Sequence, residues 1–277
     1  GPIYVAQGTL RTLNSRALGD TNFTTTTILP GATLDIGSNN INLGYSPIIV
    51  SGAGVNNAGA IVNNRRSTAP RRNIANVTMV GDTTFGGTGR LDFRSNPVGA
   101  LAASLSTGGN QFKLTKVGTN QFQVSGVNVD GALGDIEVKG GLLGIETGTT
   151  LGEPGHTLTV FTNTTLNFFN LSNVLSKNLA LNDGATLSST SGTNVFGGPI
   201  ALSGSNSVSV SAGYLALSGT FGGSGGSFVK KGAQILQHYP VPGSAVIDIT
   251  AGSLDVTNTA GSTLGLVSGQ TLRGGAG

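Results

Sequence analysis

The sequence predicts an all-β protein, a right-handed single-stranded parallel β-helix (β-solenoid). Three observations point there: glycine is abundant while charge is scarce, short period-2 strands recur without a helical stripe, and a Gly-Thr-Leu unit keeps returning. Glycine accounts for 46 of 277 residues, more than twice its usual share of about 7 %, and 10 % of residues are charged against a usual share of about a quarter. Nine prolines without a three-residue period exclude collagen, and 37 % hydrophobic residues exclude a wholly disordered chain. There is no cysteine, which removes disulfides, thiolate metal sites and cysteine nucleophiles. No apolar run approaches the roughly 18 residues of a membrane-spanning helix, and the first residues lack the charged-then-apolar pattern of a signal peptide. Gly1-Pro2 and the closing Gly274-Gly275-Ala276-Gly277 read as the limits of a segment of a longer chain.

Strands are predicted at 76–80, 90–93, 111–117, 121–129, 136–139, 157–161, 165–169, 207–211, 245–250 and 253–256, each bounded by Gly, Asn or Asp. Alternation in Val208-Ser209-Val210 and Thr157-Leu158-Thr159-Val160 puts one face inward and one outward. The repeated unit is a turn feeding a strand: Gly8-Thr9-Leu10, Gly31-Ala32-Thr33-Leu34-Asp35-Ile36, Gly148-Thr149-Thr150-Leu151, Gly184-Ala185-Thr186-Leu187, Gly252-Ser253-Leu254-Asp255-Val256 and Gly269-Gln270-Thr271-Leu272.

A longer duplication is also present. Leu114-Thr115-Lys116-Val117-Gly118 is echoed by Phe228-Val229-Lys230-Lys231-Gly232, and the run from Ile136 to Leu143 is echoed by that from Ile247 to Leu254. The two echoes lie at nearly the same offset and indicate a multi-coil block copied twice with a small deletion. The predicted geometry is about 12 to 14 coils of roughly 18 to 25 residues, with each strand laid on that of the coil before. Leu, Val, Ile and Phe then stack in an apolar column, with Phe161, Phe168 and Phe169 among them, while Thr, Ser and Asn face water. The whole chain, 1–277, is expected to form a single continuous solenoid with a basic loop protruding around 63–75. An antiparallel sandwich or pair of jelly rolls would also use short strands, but gives the Gly-Thr-Leu recurrence no reason.

Residues 31–64, with Gly52-Ala53-Gly54-Val55 and Gly59-Ala60-Ile61-Val62-Asn63-Asn64, then 81–92, resemble the autotransporter-type, passenger-associated repeat proteins of Gram-negative bacteria, verrucomicrobia and planctomycetes included. The lysine-glycine coils at Leu114 and Phe228 and the closing residues 268–277 are similar to the repeat units of that family. The resemblance covers nearly the whole chain, and its motifs are compositional, specific for architecture rather than activity. It implies a β-solenoid in an exported, very large protein. The chain departs from the pattern in its arginine-rich stretch at 65–72.

The inventory for chemistry is thin. Asp135 and Glu137 lie i, i+2 on a strand, as paired glycosidase carboxylates would, but Lys139 continues that face and favours a solvated charge row. Arg90, Asp92 and Arg94 read as an outward salt-bridged row. Residues 222–226 match G-x-S-x-G inside a glycine run that lacks the strand and helix a nucleophile elbow needs. His156 and His238 are too far apart in sequence for local metal-ligand spacing. Residues 86–92 approach a calcium nonapeptide with the aspartate one place late. Sequons occur at Asn22, Asn76, Asn163 and Asn170. No residue is assigned a catalytic, cofactor-binding or metal role, and no cofactor is expected. Arg65, Arg66, Arg71 and Arg72 are the candidate contacts to an anion or glycan, in keeping with a net charge of +3.

The function expected is therefore a non-enzymatic, secreted or cell-surface structural or adhesive solenoid. It would stack end to end into fibres or on neighbouring repeats, with acidic surface polysaccharide as a further partner, and with neither nucleic acid nor a membrane span. The alternative is a carbohydrate-active or glycan-binding β-helix of the polysaccharide-lyase or tailspike kind.

Overall fold

A computed structural model of the chain describes residues 1–19, 24–37, 41–43, 46–65, 73–95, 103–222, 226–238, 246–255 and 272–274. These residues are all-β: parallel strands stacked as a β-solenoid of about ten turns, with a 3-10 turn at Val55–Asn57 as the single helical element among them. Contacts divide the chain into two compact units, Gly1–Glu153 and Pro154–Gly277.

The second unit is the more regular. One ladder runs through Thr157–Val160, Asn178–Leu181, Ile200–Leu202 and Phe221–Gly222. Another runs through Thr165–Phe169, Thr186–Ser191, Ser205–Val210, Ser227–Lys231, Val246–Ile249 and Leu272–Gly274. A third runs through Val174–Leu175, Thr193–Phe196, Tyr214–Leu217, Ile235–His238 and Ser253–Asp255. Leu158, Leu179, Ile200 and Phe221 sit one over the next at an even spacing along the chain, and all four are buried. Such a column removes each side chain from water at every turn, worth roughly 1.5–3 kcal/mol per residue. Period 2 decides the faces: Val208 and Val210 are buried while Ser207 and Ser209 are half-exposed.

The first unit is built alike with longer turns. Its ladders are Ile3–Val5, Thr26–Ile28, Ile48–Gly52, Asn76–Gly87, Leu114–Lys116 and Ile136–Val138; Thr9–Thr12, Thr33–Ile36 and Ile61–Asn63; and Leu91–Arg94, Gln121–Ser125 and Leu142–Glu146. Leu91 pairs with Phe122, a longer step along the chain than the one from Leu158 to Leu179. Turns longer than expected are why the chain makes about ten of them rather than 12 to 14.

Several local expectations need correction. Gly148–Leu151 forms a turn and not a strand, because the Thr149 hydroxyl donates to Glu146 O (2.7 Å) and accepts from Val127 N, closing a corner. The stretch 121–129 breaks at Gly126, whose φ of +60° turns the chain between Gln121–Ser125 and Asn128–Val129. Phe168 is buried and stacks on Phe196 with ring centroids 5.9 Å apart, but Phe161 and Phe169 are half-buried, since alternation turns Phe169 away from the interior. Asn76–Gly87 is one strand of 12 residues; its first part pairs with Ile48–Gly52 and its end with Ile61–Asn63.

Asparagine is also not confined to the surface. Asn120 donates through Nδ2 to Gly86 O and Gly89 O (3.1 and 2.9 Å), and Asn194 donates to Ser191 O (2.8 Å) while accepting from Leu171 N (2.9 Å). Both are buried, and both give corner backbone groups a side-chain partner. Gly87 marks a close approach between coils: with φ +118°, an added Cβ would stand 2.3 Å from Asn63 O.

The two lysine-glycine coils build the same interior device. Lys116 Nζ donates to Val117 O, Gly118 O and, one coil on, Gly140 O, at 2.8, 3.1 and 2.9 Å. Lys230 Nζ donates to Lys231 O, Gly232 O and Ala251 O, at 2.9, 2.7 and 3.0 Å. Each ammonium directs its three donors at carbonyls and staples one coil to the next. Desolvation lowers both lysines, Lys116 from 10.5 to about 7. The unfolded chain keeps the Lys116 proton between about 7 and 10.5 whereas the folded chain releases it, so stability should rise with pH across that window. Urea unfolding at several pH values checks this: Lys116→Met should reduce the rise. Lys116→Ala should cost about 3 kcal/mol, because three carbonyls lose their donor and a cavity opens.

Candidate anion-binding cleft

Of the four arginines singled out from sequence, Arg65 is described; Arg66, Arg71 and Arg72 lie outside the described residues. Arg65 is exposed, and its backbone N–H donates to Asn63 Oδ1 (3.1 Å). Asn63 is itself buried at a strand end, donating through Nδ2 to Arg90 O (2.7 Å), and its carbonyl accepts from the N–H groups of Thr88 and Gly89. The backbone that presents Arg65 is thus tied to the next coil.

Arg65 faces a pair the sequence reading missed. Strands Thr9–Thr12 and Thr33–Ile36 are in register with Arg11 beside Asp35. Arg11 donates Nε to Asp35 Oδ2 (2.9 Å), with Nη2 also 2.9 Å from that oxygen. The Asp35 side chain is 1 % exposed and that of Arg11 59 %. The other Asp35 oxygen accepts from the Asn64 N–H at 3.1 Å. The stem of Arg11 lies across Gly37, where an added Cβ would come within 2.4 Å of Arg11 Cγ. Arg11, Asp35, Gly37, Asn64 and Arg65 line a polar cleft of about 180 Å³. The signal was in the repeats: aligning Thr9-Leu10-Arg11 with Thr33-Leu34-Asp35 sets the arginine over the aspartate.

The other flagged charges are engaged with one another. Asp92 accepts from Arg90 Nε (2.8 Å) and lies 3.5 Å from Arg94 Nη2, the arginine-aspartate-arginine row that the spacing predicts. The row is not solvated as an outward ladder would be, for the Asp92 side chain is 0 % exposed. Arg94 continues to Glu146 (3.2 Å), two coils away across Ser125, and Gln123 donates to the same carboxylate. Glu137 joins Lys139 (2.8 Å) to Lys113 (3.5 Å). Burial raises the Glu137 carboxyl, and the two lysines together outweigh it and hold it below the usual carboxylate range. Asp135 is exposed beside that row. Asp130 is held down at about 2 by the N–H groups of Ala132, Thr107 and Gly109.

The string at 86–92 fits close coil packing: Gly86 and Gly87 sit against Ala58 O and Asn63 O, and its aspartate is taken by arginines. His156 is half-buried, while the His238 side chain, residues 223–225 of the G-x-S-x-G match and Asn22 lie outside the described residues. Asn163 and Asn170 are exposed at turns with φ of +59° and +48°. No group of three His, Cys, Asp or Glu among the described residues is placed to hold a metal. No described helix is long and apolar enough to cross a membrane. Compared with protein-family models, curated proteins and solved structures, the chain matches none.

The buried row sets a stability test. Asp92→Asn should lower the unfolding free energy by about 3 kcal/mol, because the largely buried Arg90 loses its counter-charge and Arg94 is left with Glu146 alone. Urea midpoints measured at neutral pH check it, and an unchanged midpoint would show that the row holds nothing together.

Proposed function

We propose that the chain is a non-enzymatic β-solenoid with a structural or adhesive role, exported to the cell surface or beyond it. The observation that carries this reading is how the flagged carboxylates are used. Glu137 is shared between Lys113 and Lys139, and Asp92 is buried between Arg90 and Arg94. The two lysines hold the Glu137 carboxyl below the usual range, so it resists protonation and is a poor general acid. The resemblance to autotransporter-type repeats supports export and an extracellular address.

Parallel stacking also supports assembly, since each coil of such a ladder offers its backbone edge to the next, whether that coil comes from a neighbouring repeat or from another copy. Electron microscopy at neutral pH should show unbranched fibres or stacked arrays, and a monodisperse monomer in sedimentation would count against assembly. Incubation with acidic and neutral polysaccharides should release no reducing or unsaturated ends. Turnover abolished by Glu137→Ala or Asp135→Ala would replace the scaffold reading with a carbohydrate-active one.

A further inference from the structure

We infer that the cleft between Arg11 and Arg65 binds a single oxyanion, a uronate carboxylate or a sulfate, carried on an acidic polysaccharide. The inference stands apart from the scaffold reading, because an enzyme or a passive rod would hold the anion alike.

The first argument is preorganisation. Asp35 takes the Nε–Nη2 edge of Arg11 through one oxygen and leaves Nη1 without a partner among the described residues. The fork is pinned in register, its stem lies over Gly37, and Asp35 is fixed in turn by the Asn64 N–H. Part of its conformational entropy is therefore lost before any ligand arrives. An arginine held by a buried carboxylate on one edge still offers donors in a plane on the other, the geometry that carboxylate and sulfate oxygens accept.

Charge is the second argument. Two arginines and one aspartate line the cleft, so it carries one net positive charge, and Arg65 has no ion-pair partner among the described residues. One surplus cation matches one monovalent oxyanion. The volume, about 180 Å³, far exceeds the roughly 10–15 Å³ that a single water needs. The described lining contains no aromatic ring, whereas single-stranded nucleic acid is held by stacking its bases on such rings along a basic groove. A sugar acid or sulfated sugar asks only for the fork and the space.

The test uses the whole chain, titrated calorimetrically with trigalacturonate, a heparin-derived tetrasaccharide, neutral maltotriose and an oligothymidylate, and with amide shifts followed at Gly37 and Asn64. We expect at least one of the two acidic oligosaccharides to bind and to move both amides, the tighter of the two naming uronate or sulfate as the source. Arg65→Gln should weaken that binding about tenfold, the loss of one charge-assisted hydrogen bond, without changing the melting curve. Arg65→Lys should restore only part of it, since charge returns without the fork. Binding that Arg65→Gln leaves unchanged, equal binding of maltotriose, tighter binding of the oligothymidylate, or no binding of either acidic oligosaccharide would each overturn the proposal.

Discussion

The stacking distance of parallel strands, about 4.8 Å from coil to coil, is the constraint on which everything else in this protein depends. Along a straight ladder it is met by backbone hydrogen bonds alone. At a corner the chain must turn without clashing with the corner above and must still find partners for N–H and C=O groups pointing off the ladder. Gly87 answers the steric half, at a place where a Cβ would stand 2.3 Å from Asn63 O. Asn120, Asn194, Lys116 and Lys230 answer the polar half, each turning inward to bind backbone carbonyls at or beside the corners. A corner carbonyl abandoned in the interior costs about 1–3 kcal/mol, so the inward polar residues belong to the fold as much as the leucines do.

This explains what the sequence made legible. The strands were readable where period 2 is clean, as at Thr157–Val160 and Ser205–Val210, because alternation there reports a simple inside and outside. The duplicated lysine coils were readable as a repeat: Leu114 lies over Ile136 and Phe228 over Ile247, so both copies set the same two segments side by side. The interior role of those lysines was not readable. A lysine on a strand ordinarily faces water, and only the carbonyls of the next coil, Gly140 O for Lys116 and Ala251 O for Lys230, make the interior tolerable for its charge. Gly148–Leu151 misled for a related reason: the composition of a strand entry and that of a hydroxyl-closed corner are the same, and Thr149 chose the corner.

The candidate site was half legible. The arginine run drew notice by its density, yet the described cleft takes one member of it, Arg65, and completes itself with Arg11 and Asp35 from two earlier coils. Local spacing does not find such a pair, because in a solenoid the neighbours in space are one turn apart in sequence. The repeat alignment finds it, and the turn length then becomes the ruler for reading function. One turn separates Arg11 from Asp35, and two turns of unequal length carry the row from Arg94 through Ser125 to Glu146.

The same geometry also governs where charge is allowed. In a perfect repeat every outward side chain faces its own copy about 4.8 Å away, and two like charges at that distance repel by about 1 kcal/mol in bulk water and by several times that beside a protein surface. A strictly repeating unit must therefore be nearly neutral, and the regular stretch from Pro154 to Gly226 holds only Lys177 and Asp183. Charge enters where the turns differ from one another, so that unlike residues meet: Arg11 over Asp35, and Arg94 over Ser125 over Glu146. Irregular turns cost the first unit its even spacing, but they are what lets it place opposite charges side by side. The cleft proposed for an oxyanion accordingly lies among the irregular turns, where unlike charges meet, and not in the sparsely charged, evenly wound stretch from Pro154 to Gly226.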